Sequence, residues 1–438
     1  MAAVVSHALA AVIRDVFGKL EDKRLRDMAG NCLMSTLDTT VRWVEGDEPF
    51  VITGDISAMW LRDSSSQVEP YVRFVKEDAV LRALIAGVIR RQVSYILQDP
   101  YANAFNEGPN HIMGFPHDIT DKNPWVFERK FELDSLCHPL RLWWMYWRVS
   151  GDGTMFTPDM RSAIRSIIDV MKMEQDHAAR SSYSFQRLYA PSSDTLVRTG
   201  KGSSVGVTGM VWSGFRPSDD ACQYHYLIPA QMFAVVSLGM LAELFEVGFD
   251  DEEEVRRAMS LKADIEKGIA QHATVNHDRF GGIWAYEVDG LEGHLLMDDA
   301  NVPSLLSLPY LGYCAPDHPQ YLRTRQFVLS RDNPYFYSGK FGAGVGSPHT
   351  PKNRFWPIAV IMQALTSTSD AEKAACIDIL VRTDADTGLM HESIDADDPN
   401  QFSRPWFAWA NSLFAELMLR SLGVEPIIEM PVGVQAGA

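Results

Sequence analysis

The stretch Val211–Val247 reads VWSGFRPSDDACQYHYLIPAQMFAVVSLGMLAELFEV. Its apolar part, from Tyr226 onward, has the length and composition of a helix, and Ser218 after Pro217 is a typical helix N-cap. The pattern therefore predicts a helix over 220–247, and similar apolar spacing elsewhere in the chain indicates a fold made of such helices.

Apolar residues recur near every 3.6 positions through most of the chain, which indicates an all-α protein with a few short strands. The helices come in pairs separated by long glycine- and proline-rich loops, and six such hairpins can close into a double ring, an (α/α)6 barrel whose loops and short strands form an active-site bowl. An open solenoid of hairpins would give a similar pattern, although no repeat of fixed period supports one. We expect a single domain over 1–438. The predicted helices are 3–20, 23–40, 60–76, 78–98, 133–150, 158–178, 220–247, 252–272, 299–312, 319–330, 353–369, 370–383 and 402–421, and the predicted strands are Phe50–Thr53, Tyr183–Leu188 and Gly282–Val288.

Composition restricts the classes of partner. The chain has 438 residues, 46% of them hydrophobic, and 57 acids against 40 bases give a formal net charge of -17. A nucleic-acid binder needs a basic face, so this class is excluded. The 11 Trp, 14 Tyr and 21 Phe suit a site that stacks on sugar rings, although most of them must pack in the core.

The sequence also suggests a compartment. We find no apolar run long enough to cross a bilayer, and the amphipathic N-terminus is unlike a signal peptide, so we expect a soluble cytoplasmic protein without a membrane partner. The five cysteines are widely spaced and contain no CxxC pair, which points to buried free thiols rather than disulfides or a metal site. No metal or other cofactor is predicted.

The opening stretch also carries the first candidate for chemistry. Asp219 and Asp220 are expected in the first turn of the predicted helix, where carboxylates can simply complement the helix dipole. An acid that follows Trp212 and Arg216 is also how sugar-cleaving sites are built, with an aromatic wall beside a carboxyl group. We therefore take Asp219 as the first catalytic candidate, and Trp212, Arg216 and Asp220 as substrate contacts.

A second polar cluster, TGDISAMWLRDSSSQ, covers 53–67. Arg62 and Asp63 could pair as a buried brace. Alternatively, together with Asp55 they grip sugar hydroxyls through charge-assisted hydrogen bonds, while Trp60 packs on a ring face.

Three further segments supply weaker candidates. Asn103 belongs to a loop rich in Asn and His, which suits hydroxyl recognition but is also typical of an ordered surface loop. Asp298 and Asp299 are predicted at a helix start, where one of them contacts a hydroxyl or braces a neighbouring site residue, unless both only cap the helix. His349 is displayed between two prolines, a rigid turn that favours ligand contact over a purely structural role.

The last cluster supplies a second carboxyl group. Glu392 lies in GLMHESID, where it could hold a water or be only a solvated loop acid, and FSRPWFAWAN adds Arg404 and Trp406 as contacts. Glycosidic cleavage needs two carboxyl groups, one to donate a proton and one to attack or to activate water. The sequence contains no P-loop, no GxGxxG and no HExxH motif.

These clusters together resemble the family 125 glycoside hydrolases, a family of exo-acting, inverting α-1,6-mannosidases with an (α/α)6 barrel. The resemblance implies that Asp219 is the general acid and Glu392 the general base, and that a mannose-containing oligosaccharide is the partner. Ser57 replaces an expected proline, and the loop with His111 and His117 varies within the family. The resemblance rests on VITGDISAMWLRDSSSQVEPY (51–71), DPYANAFN (99–106), YSFQRL (183–188), TGMVWSGFRPSDDACQYHYLIPAQMFAVV (208–236), MDDANVPSLLSLPYL (297–311), GSPHTP (346–351), and MHES, DDP and WFAWANSLF (390–414), and it implies that Asp55, Trp60, Arg62, Asp63 and His349 hold the terminal sugar.

Inversion requires room for a water, so we expect the two carboxyl groups to stand roughly 6.5–9.5 Å apart. We also expect burial or the neighbouring Asp220 to raise the pKa of Asp219 and keep it protonated. Two other classes remain open: a sugar epimerase, which would need a pair of catalytic histidines, and a carbohydrate-binding protein without catalysis.

Overall fold

The computed structural model describes residues 6–44 and 48–425. Most of this chain is helical, with short strands in the connections. Short segments of 3₁₀ or π helix lie at Phe17–Lys19, Thr36–Thr40, Glu69–Phe74, Gly153–Met155 and Ser192–Asp194. The helices are α1 (His7–Asp15), α2 (Lys23–Ser35), α3 (Leu61–Val68), α4 (Ala79–Gln98), α5 (Leu133–Ser150), α6 (Pro158–Glu174), α7 (His177–Arg180), α8 (Val197–Gly200), α9 (Ile228–Phe249), α10 (Glu252–His272), α11 (Leu308–Leu311), α12 (Pro319–Val328), α13 (Pro357–Leu365), α14 (Asp370–Arg382) and α15 (Ala408–Ser421).

The strands form small antiparallel sheets between the helices. β1 pairs with β2, β7 with β8 and β11 with β12, and the three-stranded sheets have the orders β3-β4-β5, β10-β9-β6 and β13-β14-β15. The strands are β1 (Val41–Val44), β2 (Glu48–Val51), β3 (Met59–Trp60), β4 (Ala104–Phe105), β5 (Val126–Glu128), β6 (Tyr226–Leu227), β7 (Thr274–His277), β8 (Gly281–Trp284), β9 (Glu287–Val288), β10 (His294–Leu295), β11 (Phe336–Ser338), β12 (Ala343–Val345), β13 (Arg354–Phe355), β14 (Ser393–Asp395) and β15 (Phe402–Ser403).

Helices alternate along the chain between an inner and an outer layer. The inner helices α3, α5, α9, α11, α13 and α15 are almost entirely buried, and contacts run from α13 through α15, α3, α5 and α9 to α11. The outer helices α2, α4, α6, α10, α12 and α14 bury one face and expose the other, as amphipathic helices do. A double ring of helical hairpins, as predicted, shows this alternation of inner and outer helices.

The inner helix α9 is apolar all round and packs between α5 and α10. By length and composition alone its 22 residues could cross a membrane, so the expectation that no such run exists is wrong. Of its most apolar window 67% is buried inside the protein, and it lies in the hydrophobic core that extends from Leu9 to Leu419.

Two predicted helices begin later in the structure than in the prediction. The helix predicted over 220–247 begins only at Ile228, because the N–H groups of Gln223 and Tyr224 donate to the carboxylate of Glu287 instead of to a helical turn. The two acids Asp219 and Asp220 therefore lie in a loop, which corrects their expected place in a first helical turn.

The helix predicted over 299–312 is reduced to Leu308–Leu311, so Asp298 and Asp299 do not begin a helix. The carboxylate of Asp298 accepts the N–H groups of Leu305 and Leu306, and this fixes the segment as a loop.

Strand predictions were partly wrong. The segment Tyr183–Leu188, all of it described, contributes a single isolated bridge between Gln186 and Ile119 in place of a strand. The predicted first helix is shorter, at His7–Asp15, and residues 3–5 of that prediction lie outside the described residues.

Three of the inner helices, α3, α13 and α15, begin at the candidate site. Trp60 and Arg62 lie at the start of α3, Trp356 lies just before α13, and Phe407 and Trp409 lie at the start of α15; all five line one cavity. The positive ends of these helix dipoles therefore point toward the cavity, which suits a site rich in carboxylates.

Candidate active site

The cavity has a volume of about 210 Å³ and brings together residues from distant parts of the sequence. It is lined by aromatic rings and by charged groups, a combination suited to a sugar. Half of the predicted site residues line it: Trp60, Arg62, Asp63, Asp219, His349, Glu392 and Arg404.

Asp219 lies in a tight turn that follows Phe215. The N–H group of Asp219 donates to the carbonyl of Arg216, the N–H of Arg216 donates to the carbonyl of Asp220, and Phe215 bridges to Ala221. Asp219 has a positive φ of 68° in this turn, a conformation that aspartate tolerates better than most residues. Its side chain is 30% exposed, so a substrate in the cavity can reach it.

The charges around Asp219 act against the expected protonation. Burial raises the pKa of Asp219, but the nearby Lys130 and Arg62, and a hydrogen bond with Glu132, outweigh burial and lower it below its usual value. Asp220 is not among the main causes, and the prediction that the pKa of Asp219 is raised is wrong. The neighbouring Glu132 shows the opposite shift, because burial raises its pKa well above its usual range.

Arg62 organises the floor of the cavity. Its guanidinium lies 2.6 Å from the carboxylate of Glu132, 3.2 Å from that of Asp134, 3.5 Å from that of Asp63 and 3.8 Å from that of Asp219. The ion pair between Arg62 and Asp63, which the sequence offered as a simple brace, is therefore one contact in a larger network. This network supports the cavity wall behind Asp219.

Glu392 faces the cavity from the loop that leads into β14. Its Oε2 accepts a hydrogen bond of 2.8 Å from the hydroxyl of Ser403, and its Oε1 lies 3.8 Å from the guanidinium of Arg404. The side chain is 10% exposed. Among the described residues no hydrogen bond or ion pair joins Glu392 to Asp219, so each carboxyl group has its own set of partners.

His349 adds a positive charge to the cavity. Its Nδ1 lies 3.2 Å from the carboxylate of Asp220, and its side chain is 38% exposed. Burial disfavours the charged imidazolium, but the hydrogen bond to Asp220 and the charges of Asp220, Asp219 and Glu392 prevail and raise the pKa of His349 to about 9. Asp220 thus acts on the cavity through His349 rather than by direct contact.

The two ends of the sequence meet at Arg404. Its guanidinium donates to the carboxylate of Asp55 at 2.8 Å and to the hydroxyl of Thr53 at 3.2 Å. Gly54 lies against this segment so closely that an added Cβ would be 2.1 Å from the carbonyl oxygen of Trp406. Asp55 and Trp406 thereby position Arg404, although both lie outside the cavity lining.

The ring of Trp406 faces away from the cavity. Its Nε1 donates to Thr39 at 3.0 Å, and the ring lines a separate surface cavity between α2 and the loop before α15. The predicted contact of Trp406 with substrate is therefore not made in the candidate active site. The close packing of Gly54 against the backbone of Trp406 holds the ring on the side away from that site.

Four more predicted contacts are buried behind the lining. Trp212, predicted as an aromatic wall, is completely buried between the rings of His177 and His225. Arg216 is buried in an ion pair of 2.6 Å with Glu287.

Asp299 is also completely buried and accepts hydrogen bonds from Ser218 and Ser347. Asn103 is completely buried too, and its amide donates to Glu128 at 2.9 Å and lies 3.4 Å from Asp219. These four residues hold the loops of the site in place. Burial and ion pairing keep them out of the cavity, and the local sequence does not reveal either effect.

Several lining residues are absent from the predicted set. They lie beside the predicted motifs, and the aromatic ones lie at the starts of inner helices. The high density of Trp and Phe near Arg404 is a sequence signal that could have identified Phe407 and Trp409. These residues are Thr53, Ile56, Pro217, Ser218, Asn301, Trp356, Phe407 and Trp409.

The comparison with known families decides which chemistry this geometry serves. The family model described as metal-independent α-mannosidase (GH125) matches residues 22–419. The chain belongs to this family. GH125 membership makes it a glycoside hydrolase and an α-mannosidase, and the alternatives of an epimerase and of a non-catalytic carbohydrate-binding protein are set aside.

Similar proteins agree with the GH125 assignment. A metal-independent α-mannosidase of Streptococcus pneumoniae, solved in a non-productive substrate complex with α-1,6-mannobiose, is 45% identical, and the match covers 96% of this chain and 100% of that chain with a TM-score of 0.94. The meiotically up-regulated gene 157 protein of Schizosaccharomyces pombe is 41% identical over 96% of this chain and 87% of that protein. A bacterial glucoamylase complexed with acarbose, at 12% identity, 90% and 55% coverage and a TM-score of 0.55, shares the fold alone. The predicted (α/α)6 barrel is confirmed.

No group of three or more metal-ligating side chains occurs within residues 6–44 and 48–425. The charged groups of the cavity are instead paired with each other, as described for Arg62, His349 and Arg404.

Proposed function

We propose that this α-mannosidase removes single mannose residues from the non-reducing end of α-1,6-linked manno-oligosaccharides, and that it inverts the anomeric configuration. The observation that carries the proposal is that Asp219 and Glu392 come from separate loops to one small cavity, each with its own partners. Two carboxyl groups on opposite sides of a scissile bond are the requirement for glycosidic cleavage.

The cavity supports cleavage from the chain end. Its volume of about 210 Å³ is below the range of roughly 300–1,000 Å³ that is usual for sites of drug-sized ligands. A pocket of this size suits one terminal sugar ring, with the rest of the oligosaccharide outside. Trp60, Trp356 and Trp409 supply the aromatic part of the lining, while Arg62, Asp63 and Arg404 supply polar groups for contacts to hydroxyls.

The linkage is supported by the relative from Streptococcus pneumoniae, whose structure contains α-1,6-mannobiose. That complex and the likeness over nearly the whole chain make short α-1,6-linked mannans and N-glycan fragments the substrates that we propose. The five cysteines are free and buried, which suits our proposal of a cytoplasmic enzyme acting on fragments taken up by the cell.

In the proposed reaction Asp219 gives a proton to the glycosidic oxygen as the bond to the anomeric carbon breaks. Glu392 takes a proton from a water that attacks the same carbon from the opposite face. The hydrogen bond from Ser403 and the charge of Arg404 orient Glu392. We expect the two carboxyl groups to be separated by roughly 6.5–9.5 Å when substrate and water are bound.

The test is proton NMR of α-1,6-mannobiose with the purified enzyme, which follows the anomeric signals before mutarotation mixes them. Early β-mannose is the expected product. Early α-mannose would mean retention and would make Glu392 a nucleophile, and no release would refute the proposed substrate.

The roles of the two carboxyl groups are tested by Asp219→Asn and Glu392→Gln. Each variant should lose about 10²–10⁴-fold in kcat with little change in KM, since general acid and base catalysis contributes about this much. Normal turnover in Glu392→Gln would remove it as the base.

A further inference from the structure

Behind Asp219 lies a buried cluster that contains more carboxyl groups than cations. One guanidinium, that of Arg62, lies within 4 Å of the carboxyl groups of Asp63, Glu132, Asp134 and Asp219. A buried carboxylate without its own counter-charge is costly, so a cluster of this composition retains protons near neutral pH.

The next cation along the wall, Lys130, is shared with acids outside the cluster. Lys130 donates to the backbone carbonyl of Asp219 at 2.7 Å and pairs with Asp194 and Glu128. Arg187 pairs with the same two acids and with a third, Asp118. These two cations are therefore already engaged by three carboxylates, and the excess of acid around Arg62 remains.

Two carboxyl groups of the cluster face the same donors. The amide nitrogen of Asn103 lies 3.4 Å from an oxygen of Glu132 and 3.4 Å from an oxygen of Asp219, and the guanidinium of Arg62 contacts both. Two carboxyl groups this close can hydrogen-bond to each other only when one of them carries the hydrogen. The Glu132 side chain is completely buried, whereas that of Asp219 is 30% exposed. Burial raises the pKa of Glu132 while Lys130 and Arg62 help to lower that of Asp219, so in the resting enzyme the hydrogen lies on Glu132.

Glu132 is also prepared for the loss of this proton. It accepts hydrogen bonds from Arg62 at 2.6 Å and from Ser135 at 2.7 Å, and the amide of Asn103 lies 3.4 Å away. When the hydrogen leaves, the negative charge on Glu132 meets donors that are already in place.

We propose that Glu132 stores the proton that Asp219 delivers to the leaving sugar. This inference rests on the proposed function of Asp219 as the general acid. The O–H bond of Glu132 breaks as an O–H bond forms on Asp219, and the bond on Asp219 breaks as the hydroxyl of the leaving sugar forms. The water gives its hydroxyl to mannose and its proton to Glu392, and solvent returns a proton to the pair through Asp219. Glu132 is a positioning residue for the proton, because it acts through Asp219 without touching substrate.

The groups that face Glu132 come from three elements. Arg62 approaches it from α3, Asp134 follows it at the start of α5, and Asp219 meets it from the turn after Phe215. Arg62 favours its ionised form, whereas Asp134 and Asp219 favour its protonated form.

The test is Glu132→Gln, assayed with α-1,6-mannobiose and with 2,4-dinitrophenyl α-mannoside, whose leaving group departs without protonation. The glutamine amide can still donate a hydrogen bond to Asp219 but cannot give it a proton. We expect kcat for mannobiose to fall about 100-fold or more, while kcat for the dinitrophenyl substrate stays within roughly threefold of wild type.

Asp134→Asn is the matched control. It removes a carboxylate from the same guanidinium, at 3.2 Å, but Asp134 does not share the hydrogen with Asp219. Asp134→Asn should change the rates with both substrates by the same factor. Unchanged mannobiose turnover in Glu132→Gln, or an equal loss with both substrates, would overturn the proton store.

A measurement on the wild-type protein covers the case in which Glu132→Gln does not fold. A neutron crystal structure at neutral pH should show a deuteron on Glu132 between the two carboxyl groups. A deuteron on Asp219 with a bare Glu132 would overturn the inference. If instead wild type releases no mannose from mannobiose, it is the proposed function that fails, and the two failures are thus distinguished.

Discussion

Asp220→Asn should lower the pKa of His349, because the carboxylate of Asp220 lies 3.2 Å from Nδ1 and is the main group that raises this pKa to about 9 against the effect of burial. The difference from the ordinary value of 6.5 corresponds to about 3 kcal/mol at 1.36 kcal/mol per pH unit. Since 38% of the side chain is exposed, water screens the pair, and about 1–2 kcal/mol is a realistic contribution from Asp220.

The sign of the effect on stability follows from the raised pKa. The imidazolium stabilises the fold fully below pH 6.5, and this contribution is lost as pH rises through about 9. In Asp220→Asn the loss should occur at lower pH, so that the two proteins differ most in free energy of unfolding near pH 6 and converge above pH 9.

The assay is an NMR titration of protein labelled with ¹³C at the ε1 carbon of histidine. The chain contains 12 histidines, so His349→Gln identifies the signal of His349 by its disappearance. We expect a midpoint near pH 9 in wild type and at least one pH unit lower in Asp220→Asn. An unchanged midpoint would refute the argument that Asp220 holds the charge on His349.

Three further changes test the framework of the site. Glu287→Gln removes the counter-charge of the buried Arg216 and should reduce the free energy of unfolding by about 3–5 kcal/mol, measured by urea denaturation; an equally stable variant would contradict the ion-pair argument. Arg404→Lys keeps the positive charge but loses the forked hydrogen bonds, so we expect KM for mannobiose to rise about tenfold, and unchanged KM would remove this arginine from substrate binding. Gly54→Ala would place a Cβ 2.1 Å from the carbonyl oxygen of Trp406 and should lower kcat/KM by displacing that segment, whereas full activity would show that the contact relaxes without consequence.

Helix prediction succeeded where local signals decide the structure. The helix α5 has the predicted bounds, and it ends at Gly151 in a left-handed conformation that glycine adopts readily. The helix α10 also has its predicted bounds, with Asp251 as a cap that accepts from the N–H of Glu254. In both helices the residues next to the boundary determine where the helix ends or begins.

Helix prediction failed where a distant carboxylate takes the backbone donors. Glu287 binds the N–H groups that a helix before Ile228 would use, and it is far from them in sequence. Asp298 does the same for Leu305 and Leu306. Such contacts form only when the chain folds, so the spacing of apolar residues in the sequence does not reveal them.

The site was predicted in part for the same reason. Glu392 and Asp219 were found because polar clusters around them are too dense for a core. Trp212 was misplaced because stacking on two buried histidines, and not composition, decides on which side of the wall it lies. Glu132 was missed because the sequence around it is typical of an ordinary helix start, and its role depends on Arg62 from another helix.

The junction of Gly54 with the segment after Arg404 has a consequence for biosynthesis. Thr53 accepts the N–H of Ala408, and Gly54 bridges to Phe407, so the cavity wall is sealed between the first and the last parts of the sequence. A chain still emerging from the ribosome can hold Asp219 but has no Arg404, Phe407 or α15 to close the wall around it. We therefore expect hydrolysis of mannosides to begin only after α15 has been translated.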